Sequence, residues 1–457
     1  MTYKNIKLPV IAASAIFLAA LSSCTKYLDK KYDATVTTPT TIADLQSLLD
    51  EDVTMSSGTP ANGESSGDDF FLFDATFNSL QQRNREDYTW IPREYRFQND
   101  WSIGYNPIYV ANLCLDLIET IPKTQQNELP WNNVKGSAYF FRAYYFYHLA
   151  GVYIKAFDEA MADSDPGLVL RTTPDFTIPS VRSTVRQTYE QVINDTKASL
   201  EFLPDHGLIL LRPSRAAAFG LLAKAYLSTM RYDSAAKYSS LCLQLHSDLM
   251  DYNDPSQVDP SSSMPFKSFN KETIFYSLMN GSNYLHSNFI SKIDSVLVAS
   301  YQPNDLRSIA FFEPGPGHQV FKGTYTNEYY RLFTGIATDE IYLTRAECFA
   351  RLGDKALALQ DLNTLLEKRW VTGQFVPIEA ADAAEALSII LVERRKELLM
   401  RGIRWSDLKR LNKEGHNIVL TRFINGQTYT LAPNANHYAY PLPIDIIEQT
   451  GIAQNEF

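Results

Sequence analysis

Cysteine is scarce in this 457-residue chain, with four in all. That scarcity excludes a disulfide framework. Cys114, Cys242 and Cys348 each lie inside an apolar, helix-like stretch and read as buried small hydrophobes. Histidine is also thin, at seven scattered positions, with no H-E-x-x-H and no His/Cys grouping at ligand spacing. No metal ligand set and no cofactor is therefore expected. "GPGHQVFKGT" lacks the Gly-Lys-Ser/Thr ending of a phosphate loop and reads as a turn. Positive charge is in deficit: 42 Lys and Arg against 52 Asp and Glu, a net −10. A nucleic-acid partner calls for a basic face, so none is expected. Acidic residues are plentiful, but no spacing singles out the pair a glycosidase needs.

The one long apolar stretch is at the N-terminus. Lys4 and Lys7 form a basic n-region, Leu8 to Ala20 is almost wholly apolar or small, and Leu21-Ser22-Ser23-Cys24 follows. The run is shorter than the roughly 20 residues of a membrane-spanning helix. It reads as a secretory signal peptide over residues 1–23. The Leu-Ser-Ser-Cys ending resembles the bacterial lipobox, which implies cleavage before Cys24 and acylation of its sulfur. Loss of two lysines moves the formal charge from −10 to about −12. A multiply acylated Cys24 holds a protein firmly on a lipid bilayer, at about 0.8 kcal/mol per buried CH₂. Residues 24–40 read as a tether and residues 41–457 as a single mostly α-helical domain.

Aromatics are abundant, with 27 Tyr and 25 Phe. The pattern is helical. A short helix is expected through Leu49, a loop by composition over 51–69, and a long helix from near Trp101. A second helix, about Asn132 to Ile154, is apolar almost all round and should be buried. A third is opened by a Thr184/Gln187 capping box and stopped by Pro204. Two helix pairs follow, with turns at Met230–Tyr232 and Gly353. Small residues (Ala223, Ala225, Ala235; Ala346, Ala350, Ala356) sit where the helices cross, as in tetratricopeptide units. "EALSIILVERRKELLMRGIRWSDLKRL" reads as one last long helix. Its Glu393, Arg394, Arg395 and Glu397 read as an ion-pair network, and Arg142 as paired to a carboxylate or carbonyls. Residues 251–270 and 302–335 read as long irregular stretches of the kind that carry function.

Several segments in order resemble the SusD/RagB-like outer-membrane lipoproteins. They include "CTKYLDKKYDA", "WSIGYNPIYVANLCLDLIE", "KGSAYFFRAYYFYHLAGVY", "YLTRAECFARLGDKALALQDLNTLLEKRW", "ERRKELLMRGIRWSDLKR" and "YAYPLPIDIIEQTGIAQNEF". The resemblance implies a tetratricopeptide-like helix-pair scaffold with long irregular loops on the ligand side. It further implies a cell-surface, outer-membrane lipoprotein that binds oligosaccharide or polysaccharide without catalysis. Its partner would be a TonB-dependent, SusC-like outer-membrane transporter. The stretch from Thr25 to Lys30 is mixed in charge, where surface-displayed relatives often carry an acidic cluster. Ligand residues do not transfer by motif. Sugar rings are gripped by flat aromatics and polar side chains. On that chemistry the candidates are Asp68, Asp69, Tyr88, Trp90, Tyr95 and Arg96, with Arg85 nearby, and Tyr325, Asn327, Tyr329 and Arg331, with Tyr330 beside them. The alternatives are a binder of peptides or another nutrient for the same kind of transporter, a protein-interaction scaffold, or a glycosidase on a helical frame.

Overall fold

Helical periodicity in the sequence becomes a stack of helices, each packed on the next. The computed structural model describes residues 39–457. The signal peptide, Cys24 and nearly all of the tether lie outside those residues. Ten helices make the frame: α1 Ile42–Leu49, α2 Asp100–Ile118, α3 Glu128–Tyr153, α4 Val185–Ser199, α5 Arg215–Ser228, α6 Tyr232–Leu245, α7 Thr338–Arg351, α8 Lys355–Glu367, α9 Ala383–Glu397 and α10 Arg404–Lys413. In sequence order, α2 packs on α3, α3 on α4, α4 on α5, α5 on α6 and α6 on α7, with α8 and α9 both against α7. Helices α5/α6 and α7/α8 are the expected hairpin pairs. None of the described helices is long and apolar enough to cross a membrane.

The local signals explain the boundaries. Asn99 and Ser102 close a capping box on α2, and Thr184 and Gln187 close one on α4. Helix α3 begins at Glu128, four residues before the expected start, because Pro130 fits a first turn where its missing N–H costs nothing. It is buried nearly all round. Gly104 lets α2 approach it, since a Cβ there would stand 2.8 Å from Leu149 Cδ2. Tyr145 and Tyr144 on α3 donate to the Met55 carbonyl at 2.8 Å and the Thr334 carbonyl at 3.0 Å, pinning loops onto the helix layer. Arg142 meets Asp195 through two bonds of 2.7 and 2.6 Å, as its burial demanded. Cys114, Cys242 and Cys348 are free and buried.

Three expectations need correction. Residues 51–69 are not a surface loop. They hold short helices Asp52–Met55 and Asn62–Ser66, the second wholly buried. Glu51 caps the first, and Asp100 accepts the Ala61 and Asn62 N–H groups at the head of the second. The last long helix is two, α9 and α10. Met400 (φ 58°) and Gly402 (φ 71°) take left-handed backbone between them, which ends a helix. Residues 302–335 are not wholly irregular: Phe312–Gly315 and His318–Phe321 pair as an antiparallel hairpin, with the "GPGH" turn at its tip. The loops also carry a core of their own. Tyr252, Phe266, Phe311, Phe321, Tyr325 and Phe333 pack together below the surface.

Ionic pairs join that loop core to the helices. Arg307 meets Asp305, Glu393 and Glu397, all three partners within 3.0 Å. The charged run on α9 is thus the expected network.

Glu64, on the buried short helix, accepts the Gly402 N–H through Oε2 at 2.9 Å. The residue shares a small cavity of about 30 Å³ with His148 and Lys224. Burial, reinforced by Asp69, pushes its carboxyl up to about 8. The native state therefore holds this proton in a range where the unfolded chain has released it. Its contribution is full below the ordinary carboxyl value and is lost as pH rises through about 8. Glu64→Gln removes that titration, so the variant should lose less stability than the parent between about pH 5 and about pH 8. Urea melts at both pH values test this, and parallel losses would refute it.

Candidate functional site

A cleft of about 950 Å³ opens between the start of α2, with the Phe97–Gln98 segment before it, and loops 279–289 and 330–332. Four large aromatics on its wall are turned toward solvent: Phe97 (74 % exposed), Phe289 (68 %), Tyr330 (63 %) and Tyr284 (43 %). Most polar wall groups are amides and hydroxyls, among them Asn106, Asn280, Asn283, Gln98, Ser102 and Ser287, with His286 and Arg331 beside them. A second recess of about 490 Å³ shares Phe97, Gln98 and Asn283 with the first and is lined by Arg83, Arg93, Tyr95 and Arg96.

Asp100 organises this region from beneath. Its carboxylate accepts Ala61 N–H at 2.9 Å, Asn62 N–H at 2.7 Å, Asn280 Nδ2 at 2.9 Å and the Ser282 hydroxyl. Burial pushes its carboxyl up, while those donors oppose the shift. His286 is held from the other side. Its Nδ1 shares a 2.9 Å hydrogen bond with the buried Ser65 hydroxyl, and burial lowers the ring to about 4. Residues 63–67, Gly-Glu-Ser-Ser-Gly, spell the G-x-S-x-G pattern of a nucleophile elbow. Ser65 is fully buried inside a short helix, and among the described residues no carboxylate bonds His286. This serine orients the imidazole; it does not face a substrate.

The sequence candidates divide sharply. Asp68 receives two Arg404 bonds of 2.7 and 2.8 Å; burial opposes its ionisation, but Arg404 and Arg395 hold its carboxyl well below the usual range. Asp69 is buried against Arg395 at 2.8 Å, and burial pushes its carboxyl up. Tyr88 is buried, accepts the Leu72 N–H at 2.9 Å and lies under the Arg422 guanidinium, 4.0 Å from the ring centre. Trp90 is buried, donates to the Ser66 carbonyl at 3.0 Å and meets the same guanidinium. Tyr325 is buried, bonded to Glu272 at 2.8 Å and Asp339 at 3.2 Å. Tyr88 and Tyr325 belong to the loop core, Trp90 packs with Trp405 and Leu408, the two aspartates tie residues 68–69 to Arg395 and Arg404, and none of the five lines the cleft. Arg85 donates to the Leu80 carbonyl at 2.6 Å.

The rest lie nearer the cleft. Arg331 is on its wall. Tyr95 and Arg96 line the recess, Tyr95 donating to the Pro441 carbonyl and Arg96 bound twice to Glu448 at 2.8 Å. Tyr329 bonds Glu313 at 2.9 Å and meets the Phe289 ring edge-on at 5.8 Å. Asn327 is exposed, in a left-handed turn position (φ 51°). Tyr284 and Phe289 were missed. Their signal was the segment "NGSNYLHSNF", in which isolated aromatics stand among Gly, Ser and Asn.

An all-helical frame of tetratricopeptide-like pairs carrying a loop-built aromatic cleft defines a binding scaffold. Comparison with known proteins identifies its kind. Residues 26–227 match a SusD-like family model described as starch-binding and associating with the outer membrane, and residues 334–454 match the model of the SusD family. SusD-like protein P2 of Formosa agariphila is 25% identical over 411 residues, covering 75% of this chain and 76% of its own. A SusD superfamily protein from Bacteroides thetaiotaomicron superposes with a TM-score of 0.75 at 19% identity, covering 91% of this chain and 100% of that one. A SusD-like carbohydrate binding protein from Bacteroides vulgatus gives 0.69 at 20% identity, covering 90% and 96%. A laminarin binding SusD-like protein gives 0.61 at 18% identity, covering 90% and 98%. The chain belongs to the SusD/RagB-like family.

Proposed function

We propose that this protein is a lipid-anchored, cell-surface protein of the outer membrane that captures oligosaccharide or polysaccharide in the aromatic cleft and delivers it, chemically unchanged, to a SusC-like TonB-dependent transporter. The observation that carries the reading is the gathering of four solvent-facing aromatics around amides and hydroxyls in one cleft. Aromatic faces suit the C–H faces of sugars, and amides suit their hydroxyls. Among the described residues the cleft wall offers no carboxylate, so it has no pair to flank a glycosidic bond. The family and its laminarin-binding relative support a glycan as ligand. The anchor rests on the lipobox-like Cys24. The transporter partner rests on the family resemblance.

The test is electrophoresis of a soluble Cys24→Ala form through gels holding plant, host and microbial polysaccharides, with reducing ends assayed in parallel. Retardation without new reducing ends is expected. Release of reducing ends would contradict the non-catalytic reading, and free migration in every gel would contradict glycan capture.

A further inference from the structure

We propose, resting on that reading of the cleft, that its ligand is a neutral oligosaccharide and that uronate- and sulfate-bearing glycans are turned away. The argument is one of charge. Charged residues make up 21% of the chain, yet Arg331 is the one formally charged side chain on the cleft wall among the described residues. It already lies 3.6 Å from Glu328. His286, also on the wall, sits against Ser65 in a desolvated site where the neutral ring is favoured.

The recess next door looks cationic by composition, and its pairing removes that appearance. Arg93 is bound by Asp87 at 2.8 and 2.7 Å, and Arg96 by Glu448 twice at 2.8 Å. Arg83, Glu94 and the buried Asp100 are the acidic and basic side chains left there without an ion pair among the described residues, one cation against two carboxyl groups. Asp445 adds a carboxylate against the Phe97 N–H at 3.2 Å. An anionic sugar would approach a chain of net charge −10 and find no spare cationic cluster. Its carboxylate or sulfate would shed water without charge-assisted bonds in return.

The polar groups point the same way. Gln98 and Asn106 carry amides that both donate and accept, while the amides of Asn280 and Asn283 are already bonded within the wall, to Asp100 and Asn62. A sugar hydroxyl does both as well. A carboxylate or sulfate accepts only, and would leave the amide oxygens unmatched.

Calorimetry on the mature chain with matched polymers tests the proposal: dextran against dextran sulfate, hydroxyethyl cellulose against carboxymethyl cellulose, and laminarin against alginate. The expected result is binding to a neutral member, with its charged counterpart at least about tenfold weaker. The affinity should change less than about twofold between about 50 and 500 mM NaCl. Preference for a charged member, or a loss of about tenfold over that salt range, overturns the proposal. Phe289→Ala/Tyr330→Ala separates the two readings. If it abolishes binding of a charged glycan, the cleft stands as the site and the neutral class is wrong. If it leaves glycan binding unchanged, or no polymer binds, the reading of the cleft itself falls and this proposal with it.

Discussion

Replacing Arg369 by methionine is expected to destabilise the protein by roughly 3–5 kcal/mol, the cost of leaving a buried charge without its partner. Arg369 is fully buried between the helix layer and the loop core. It donates to Glu397 at 2.7 Å, to Glu272 at 2.8 Å and to the Met250 carbonyl at 2.8 Å, and its guanidinium lies 4.4 Å from the centre of the Tyr252 ring. Burial already pushes the Glu272 carboxyl up to about 7, against the pull of Arg369. Without the arginine, Glu272 is left buried with no cation, close to Glu397, which keeps Arg307. Glu272 must take up a proton or the loops must open. Methionine roughly keeps the volume, so the loss reports charge and hydrogen bonding more than a cavity. Urea unfolding at neutral pH measures it. A shift in midpoint worth less than about 1 kcal/mol would show that the network contributes little.

The second large effect is on binding. Asp100→Ala should weaken capture of the retained glycan by at least about tenfold and destabilise the fold by about 2–4 kcal/mol, because buried donors lose their acceptor. Of those donors Asn280 is on the cleft wall, Asn62 and Ser282 line the adjoining recess, and Ala61 is buried behind them. In the proposed capture Asp100 would act as a positioning residue, through these segments and not through contact with the sugar. Titration of the variant under conditions where its circular dichroism is native-like separates the two losses. Native affinity in that state would show that the rim holds its shape without Asp100.

The frame was legible because helices bury one face at fixed intervals. The Thr184 capping box, the two hairpin pairs and the ion-rich α9 could all be read from spacing. The break between α9 and α10 could not, since the apolar pattern runs on through Met400 and the left-handed backbone leaves only Gly402 as its mark. The site was read less well for a related reason. Tyr88, Trp90 and Tyr325 have the composition of a sugar platform, but they are buried against Arg422 and Arg401, Tyr88 and Tyr325 in the loop core and Trp90 beside Trp405. Composition does not say which side of a loop an aromatic takes. Burial of a loop needs internal partners for its polar groups, and Asp68, Asp69 and Asp100 supply them from far along the chain. Those pairings are long-range and carry no local signature. Tyr284 and Phe289 stand in a Gly, Ser and Asn-rich segment that offers little to bury them, which is why they face solvent.

Hydrogen exchange of the mature chain, with and without the glycan that gel electrophoresis retains, tests most directly where capture takes place. Protection is expected in residues 97–106, 279–289 and 330–332, with little change in α4 to α8. Protection confined to the helix layer, and none in those three segments, would contradict the cleft as the place where this protein holds its ligand.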